Sequence, residues 1–173
     1  IKEKRYVDND TTASDLCFKA ADELLTRNNI DRNSIDMILF LSQLPDYKIP
    51  ATAPILQHKL GLPKTTAAMD LSLGCSGYVY GLSTAMAYAS MEGIDRVLLL
   101  VGETFSKLVN PKDKVNVPLY GDAGTATLIE KSSMESPSRD STVRITICVE
   151  SLFSISASFS LRRISVSGEI ISP

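Results

Sequence analysis

Apolar residues along the first 131 positions recur at helical spacing in some stretches and run nearly unbroken in others. Leu16, Ala20, Leu24 and Leu25 recur at helical spacing, which predicts a helix that Ser14 or Asp15 caps and that runs out around Arg27-Asn28-Asn29. Ile35 to Leu41 is then a buried strand, followed by a loop from Pro45 to Pro54. A second helix passes through Ile55, Leu56 and Leu60 and ends at Gly61, a residue type that accepts the left-handed turn after a helix. Thr66 to Leu73 reads as a strand, and Ser76 to Met91 as a helix of Gly, Ala and Ser with Tyr and Met between them. Small residues on nearly every side predict that neighbours bury this helix on several faces. Gly93 ends it. Arg96 to Gly102 is almost wholly apolar, as in a sheet covered on both faces. A polar loop runs to about Pro118, and Ala126 to Ile129 forms one more short strand. Strands alternating with helices imply a layered α/β fold.

The pattern changes after Lys131. Serine becomes dense and alternation takes over, as in Phe153-Ser154-Ile155-Ser156-Ala157-Ser158-Phe159. The chain therefore divides into an α/β unit, residues 1–131, and a Ser-rich segment, residues 132–173. The segment reads either as half-exposed antiparallel strands or as a tail without fixed structure.

Charge and composition narrow the class. A formal net charge of -2 gives no electrostatic case for nucleic acid or an anionic membrane. No run of ~18 apolar residues is long enough to span a bilayer. Three widely spaced cysteines supply neither a disulfide framework nor metal-ligand spacing. The expectation is a soluble protein of a reducing cytoplasm, without a metal or a bound cofactor. The start, Ile1-Lys2-Glu3-Lys4-Arg5, has no initiator Met and no apolar signal, and reads as the middle of a longer protein.

Chemistry concentrates at Asp70-Leu71-Ser72-Leu73-Gly74-Cys75-Ser76-Gly77-Tyr78, where a strand ends at a glycine, a cysteine occupies the turn and a helix begins. A helix N-terminus favours an anion, hence thiolate over thiol, and the thiolate is the nucleophile. Cys75 is thus a candidate for attack on a thioester or similar acyl group. Cys17 and Cys148 lie inside ordinary apolar patterns and read as small core residues. Gly121-Asp122-Ala123-Gly124 lacks the Lys-Ser/Thr of a phosphate-binding loop, so its glycines read as conformational. His58, in the polar setting Gln57-His58-Lys59, reads as a solvated residue and not as a base for Cys75.

Read together, these segments resemble β-ketoacyl-acyl-carrier-protein synthase III and its relatives of the thiolase fold. Residues 70–77 look like that family's nucleophile segment. Asp95 to Glu103 is similar to the strand after its central helix, Tyr120 to Ala126 to its Gly-Asp segment, and Ile1 to Arg5 to its Gly-Ile-Arg-Glu-Arg stretch without the glycine. The resemblance implies an α/β/α thiolase-like layering, of which this chain is the N-terminal half. It implies that Cys75 takes an acyl group from acyl-CoA and that the acyl-enzyme condenses with malonyl-acyl-carrier protein, losing CO₂. It implies too that the cysteine's own N–H and one from a distant glycine loop hold the thioester oxyanion. Lys114 matches a place where the family commonly has an Arg on the CoA nucleotide, and Ile49 a position lining the acyl pocket of the partner subunit in a homodimer. Each also has a plain reading, Lys114 as a solvated loop residue and Ile49 as a loop anchor.

The family completes its site with a His and an Asn from its second half, which this chain does not show. The expectation is an incomplete half that does not run the condensation alone. Two other readings stay open. One is a non-catalytic dimerisation or scaffold module with Cys75 inert. The other is a cysteine hydrolase, whose Gly-x-Cys-x-Gly elbow lacks its first glycine here and whose His would have to follow Cys75.

Overall fold

The strand Arg96–Glu103 (β3) organises the molecule, because its residues Val97 to Leu100 are completely buried and helices cover both of its faces. The computed structural model describes residues 4–131 and 143–146. In chain order the elements are helix α1 (Ala13–Arg27), strand β1 (Met37–Leu41), helix α2 (Thr52–Lys59), strand β2 (Ala67–Leu71), helix α3 (Gly77–Ala89), β3, strand β4 (Ala123–Lys131) and strand β5 (Val143–Thr146). They form one sheet in the order β2-β1-β3-β4-β5. β2, β1 and β3 run parallel, with Leu41 level with both Leu71 and Val101. β4 and β5 run antiparallel to their neighbours.

Strand alternation sorts the apolar residues into two layers. Ile38, Phe40, Leu98, Leu100, Ala126 and Leu128 pack under α1 and α2. Met37, Leu39, Val97, Leu99 and Ile129 pack under α3. Burying each such side chain is worth about 1.5–3 kcal/mol, so the sheet centre, more than helix propensity, holds the layers together.

Several boundaries differ from the sequence expectation, each for a local reason. Thr12 caps α1, not Ser14 or Asp15: its hydroxyl accepts from the Asp15 N–H, and the Asp15 carboxylate accepts from the Thr12 N–H at 3.1 Å. This is a reciprocal capping box, and Ser14 sits buried inside the first turn. α2 begins at Thr52, so Pro54 lies in its first turn, where a missing N–H has no helical partner to lose. β4 is longer than expected because full pairing with β3, from Arg96↔Glu130 to Glu103↔Ala123, draws the Gly-rich segment into the ladder.

The largest correction concerns α3. Its buried residues are Gly77, Gly81, Ala85 and Ala89, a single stripe with a spacing of four, while Val79 and Tyr80 are exposed. Only the side facing the sheet is covered among the described residues. Gly81 lets that side approach, since a Cβ there would meet Leu41 at 3.0 Å and Leu99 at 3.2 Å.

β5 extends the sheet past Lys131. The remainder of the Ser-rich segment, with Cys148 and the alternation at Phe153 to Phe159, lies outside the described residues. Among the described residues no helix is long and apolar enough to cross a membrane, and no group of His, Cys, Asp or Glu has the arrangement to hold a metal ion.

Candidate active site

Parallel strands bring their C-terminal ends to one edge of the sheet, and the loops that leave that edge are where open α/β sheets bind ligands. The three candidate residues lie on three such loops: Ile49 between β1 and α2, Cys75 between β2 and α3, and Lys114 between β3 and β4. The topology thus brings them to the same edge.

Cys75 is exposed on the turn between β2 and α3. Helix α3 starts one residue later than expected, with Ser76 as an N-cap whose side chain makes no capping bond, so the cysteine precedes the cap instead of occupying it. The turn is closed by the Gly77 N–H donating to the Gly74 carbonyl at 2.7 Å. The N–H of Cys75 has no acceptor among the described residues. A thiol and a backbone donor without an acceptor among the described residues therefore sit on one exposed turn, the pairing that acyl-transfer chemistry uses.

Asp70 holds the neighbouring loop. From β2 its two carboxylate oxygens accept the N–H groups of Thr52 at 2.7 Å and Ala53 at 2.6 Å. Helix α2 has no side-chain cap of its own, so this carboxylate supplies the anion that a helix N-terminus favours. It also fixes the end of the loop that carries Ile49, which is 90% exposed and forms a cis bond with Pro50. Sequence reasoning missed Asp70. The cue was a charged residue inside an otherwise apolar strand.

Lys114 is exposed in a turn built around Asp113, whose carboxylate accepts from the N–H groups of Val115 and Asn116 and from the Asn116 side chain. Those bonds, the Asn116 side chain foremost, hold the Asp113 carboxyl below its ordinary pKa. Lys4 pins the loop by donating to the carbonyls of Val117 at 2.6 Å and Tyr120 at 3.2 Å. Asp122 does the same from the Gly-Asp segment, accepting from Val7 N–H at 2.9 Å, Ser106 N–H at 3.0 Å and the Ser106 hydroxyl. A cavity of about 370 Å³ lies beside this junction, lined by Tyr6, Val7, Ser106, Lys107, Val117 and Tyr120.

The other two residues weighed from sequence fall elsewhere. Cys17 is fully buried under Gly102, and burial pushes its thiol far above the ordinary value, so it is inert core. His58 is exposed on α2.

A mixed sheet with three parallel strands between helices, and an exposed cysteine on a strand-to-helix turn, defines a thiolase-like α/β/α half. The model of the 3-oxoacyl-[acyl-carrier-protein (ACP)] synthase III family matches residues 69–145, from within β2 into β5. A β-ketoacyl-[acyl-carrier-protein] synthase III 2 of Halalkalibacterium halodurans is 36% identical over 136 residues, covering 78% of this chain and 40% of that protein. The β-ketoacyl-[acyl-carrier-protein] synthase III of Caldanaerobacter subterraneus is 37% identical over 129 residues, 75% of this chain and 39% of that protein. A crystal structure of a 3-oxoacyl-(acyl-carrier protein) synthase from Burkholderia xenovorans superposes with a TM-score of 0.74 at 42% identity, covering 82% of this chain and 40% of its own. The chain is similar to synthase III proteins, with their thiolase-like fold, and spans about two fifths of the length of these relatives.

Proposed function

We propose that this chain is the nucleophile-bearing part of an acyltransferase that starts fatty-acid or polyketide chains. The observation that carries the reading is Cys75 itself, exposed on its turn beside an unengaged N–H at the carboxyl edge of three parallel strands. The Cys75 thiolate attacks the carbonyl carbon of acyl-CoA, its own N–H stabilises the oxyanion, and the CoA thiolate leaves. Malonyl-acyl-carrier protein then loses CO₂, its carbanion attacks the acyl carbon, and the Cys75 thiolate is released. Lys114 presents its charge to the CoA nucleotide from an anchored turn, as a point charge without the planar fork of an Arg. Ile49 lines the acyl pocket of a partner subunit in a homodimer, a reading supported by its 90% exposure on a loop held by Asp70. The one His of the sequence sits on α2, so residues 1–173 by themselves acylate but do not condense.

The test is intact-mass spectrometry after incubation with acetyl-CoA and longer acyl-CoAs, alongside Cys75→Ala. The expected result is one acyl adduct that disappears in the mutant. An adduct that persists in Cys75→Ala assigns the chemistry elsewhere. No adduct either on this chain or on a longer protein containing it leaves a scaffold with an inert thiol.

A further inference from the structure

β1 and β3 lie side by side at the sheet centre, and the chain leaves them in opposite directions. From β1 it passes through α2 on one face to β2, and from β2 it returns past β1 through α3 on the other face to β3. Such a reversal opens a crevice beyond the carboxyl ends of the two strands. Glu103, the last residue of β3, bridges it by accepting the N–H of Gln43, two residues beyond the end of β1.

Gln43 carries the contact onward. Its side chain lies against Gly74, so that a Cβ added there would come within 2.9 Å of Nε2. Gly74 is bonded to Cys75, and its carbonyl receives the N–H of Gly77 that opens α3. A continuous path therefore joins the Glu103 carboxylate to the turn that presents the cysteine.

A solvated carboxylate at a strand end would need no such setting. Glu103 is half-buried, and its second oxygen, Oε2, is buried without a hydrogen-bond partner among the described residues. Keeping an oxygen of a carboxylate away from water costs free energy unless the group is engaged. We propose that Glu103 is a positioning residue for Cys75, acting through Gln43 and the Gly74 contact. The inference rests on the reading above only in taking Cys75 as the nucleophile.

The experiment measures hydrogen exchange by mass spectrometry on the 173-residue chain, together with the rate of Cys75 alkylation by iodoacetamide. Glu103→Ala is expected to speed exchange across residues 72–78 by about tenfold, the ratio equivalent to ~1.4 kcal/mol, and to change the alkylation rate. The amides of α1 and β4 stay at the parent rate, which a general loss of stability would not allow. Gln43→Ala moves the same segment in the same direction. Glu103→Gln keeps an oxygen acceptor for the Gln43 N–H and restores both readouts. Parent-like exchange at 72–78 in both Glu103→Ala and Gln43→Ala overturns the proposal, as does a Glu103→Gln variant as perturbed as the alanine. Should Glu103→Ala fail to fold, Glu103→Asp, whose shorter side chain draws the carboxylate back from the Gln43 N–H, takes its place, and parent-like exchange at 72–78 in it overturns the proposal. Acyl-adduct formation is scored separately, so a rigid turn with an adduct sinks the positioning role, and a loosened turn without one sinks the acyltransferase.

Discussion

Gly102 and Gly124 face each other across β3 and β4, and α1 lies directly on the pair. A Cβ built on Gly124 would stand 2.5 Å from Leu16 Cβ and 2.6 Å from the Cys17 backbone nitrogen. Those atoms belong to a buried helix, so they cannot swing aside as a side-chain tip would. Overpacking a filled core costs about 1–3 kcal/mol, and backbone on the receiving side puts Gly124→Ala near the upper end. Restricting the unfolded chain returns about 0.4–1 kcal/mol. The net is ~2 kcal/mol, which for a chain of this size lowers the melting temperature by roughly 4–8 °C. Gly121→Ala is the matched control three residues earlier. Its added Cβ would meet only the Arg5 carbonyl at 3.4 Å, an ordinary contact, and it should stay within about 0.5 kcal/mol of the parent. Thermal melts followed by circular dichroism compare the two. Equal melting temperatures for Gly124→Ala and the parent, or equal damage from both substitutions, would refute the packing argument. The Gly-Asp-Ala-Gly segment would then need a role other than spacing α1 from the sheet.

Two further predictions follow from charged groups. Asp70→Ala removes both acceptors from the N-terminus of α2 and should cost about 1–2 kcal/mol, read as a lower urea midpoint with an unchanged slope, whereas Asp70→Asn keeps one acceptor and should lose less; equal losses would mean that packing and not the cap matters. For Glu103, burial raises the carboxyl pKa above its ordinary value, against the Gln43 N–H and the nearby polar groups of Ser42 and Leu44, which pull it down. The folded state therefore binds this proton more tightly than the unfolded state, and stability falls as pH rises from about 4.3 through the raised value. The melting temperature of Glu103→Gln minus that of the parent should shift in the mutant's favour between pH 4 and pH 7, on the scale set by those values. A pH-independent difference would show that the carboxylate is not penalised by burial.

The apolar pattern was enough to specify the layers and to single out the turn that carries Cys75. Strings such as Val97-Leu98-Leu99-Leu100 have no polar position to spare for solvent, which requires helices on both faces of the sheet whatever the details. Gly74-Cys75 after an apolar strand marked the site, because short-range geometry at a strand-to-helix turn is written in adjacent residues. Tertiary structure alone decided what depends on distant partners. Asp70 looks like a strand residue until α2 is docked 18 positions away in sequence, and Glu103 looks like a strand end until Gln43 arrives from 60 positions away. The helix α3 misled for the converse reason. Small residues record that something approaches closely, and four glycine and alanine positions against the sheet accounted for that signal on one face, leaving Val79 and Tyr80 exposed. Periodicity reports which side of an element is covered, but only the packed fold shows by what, because hydrogen bonds and contacts between remote segments leave no spacing in the chain.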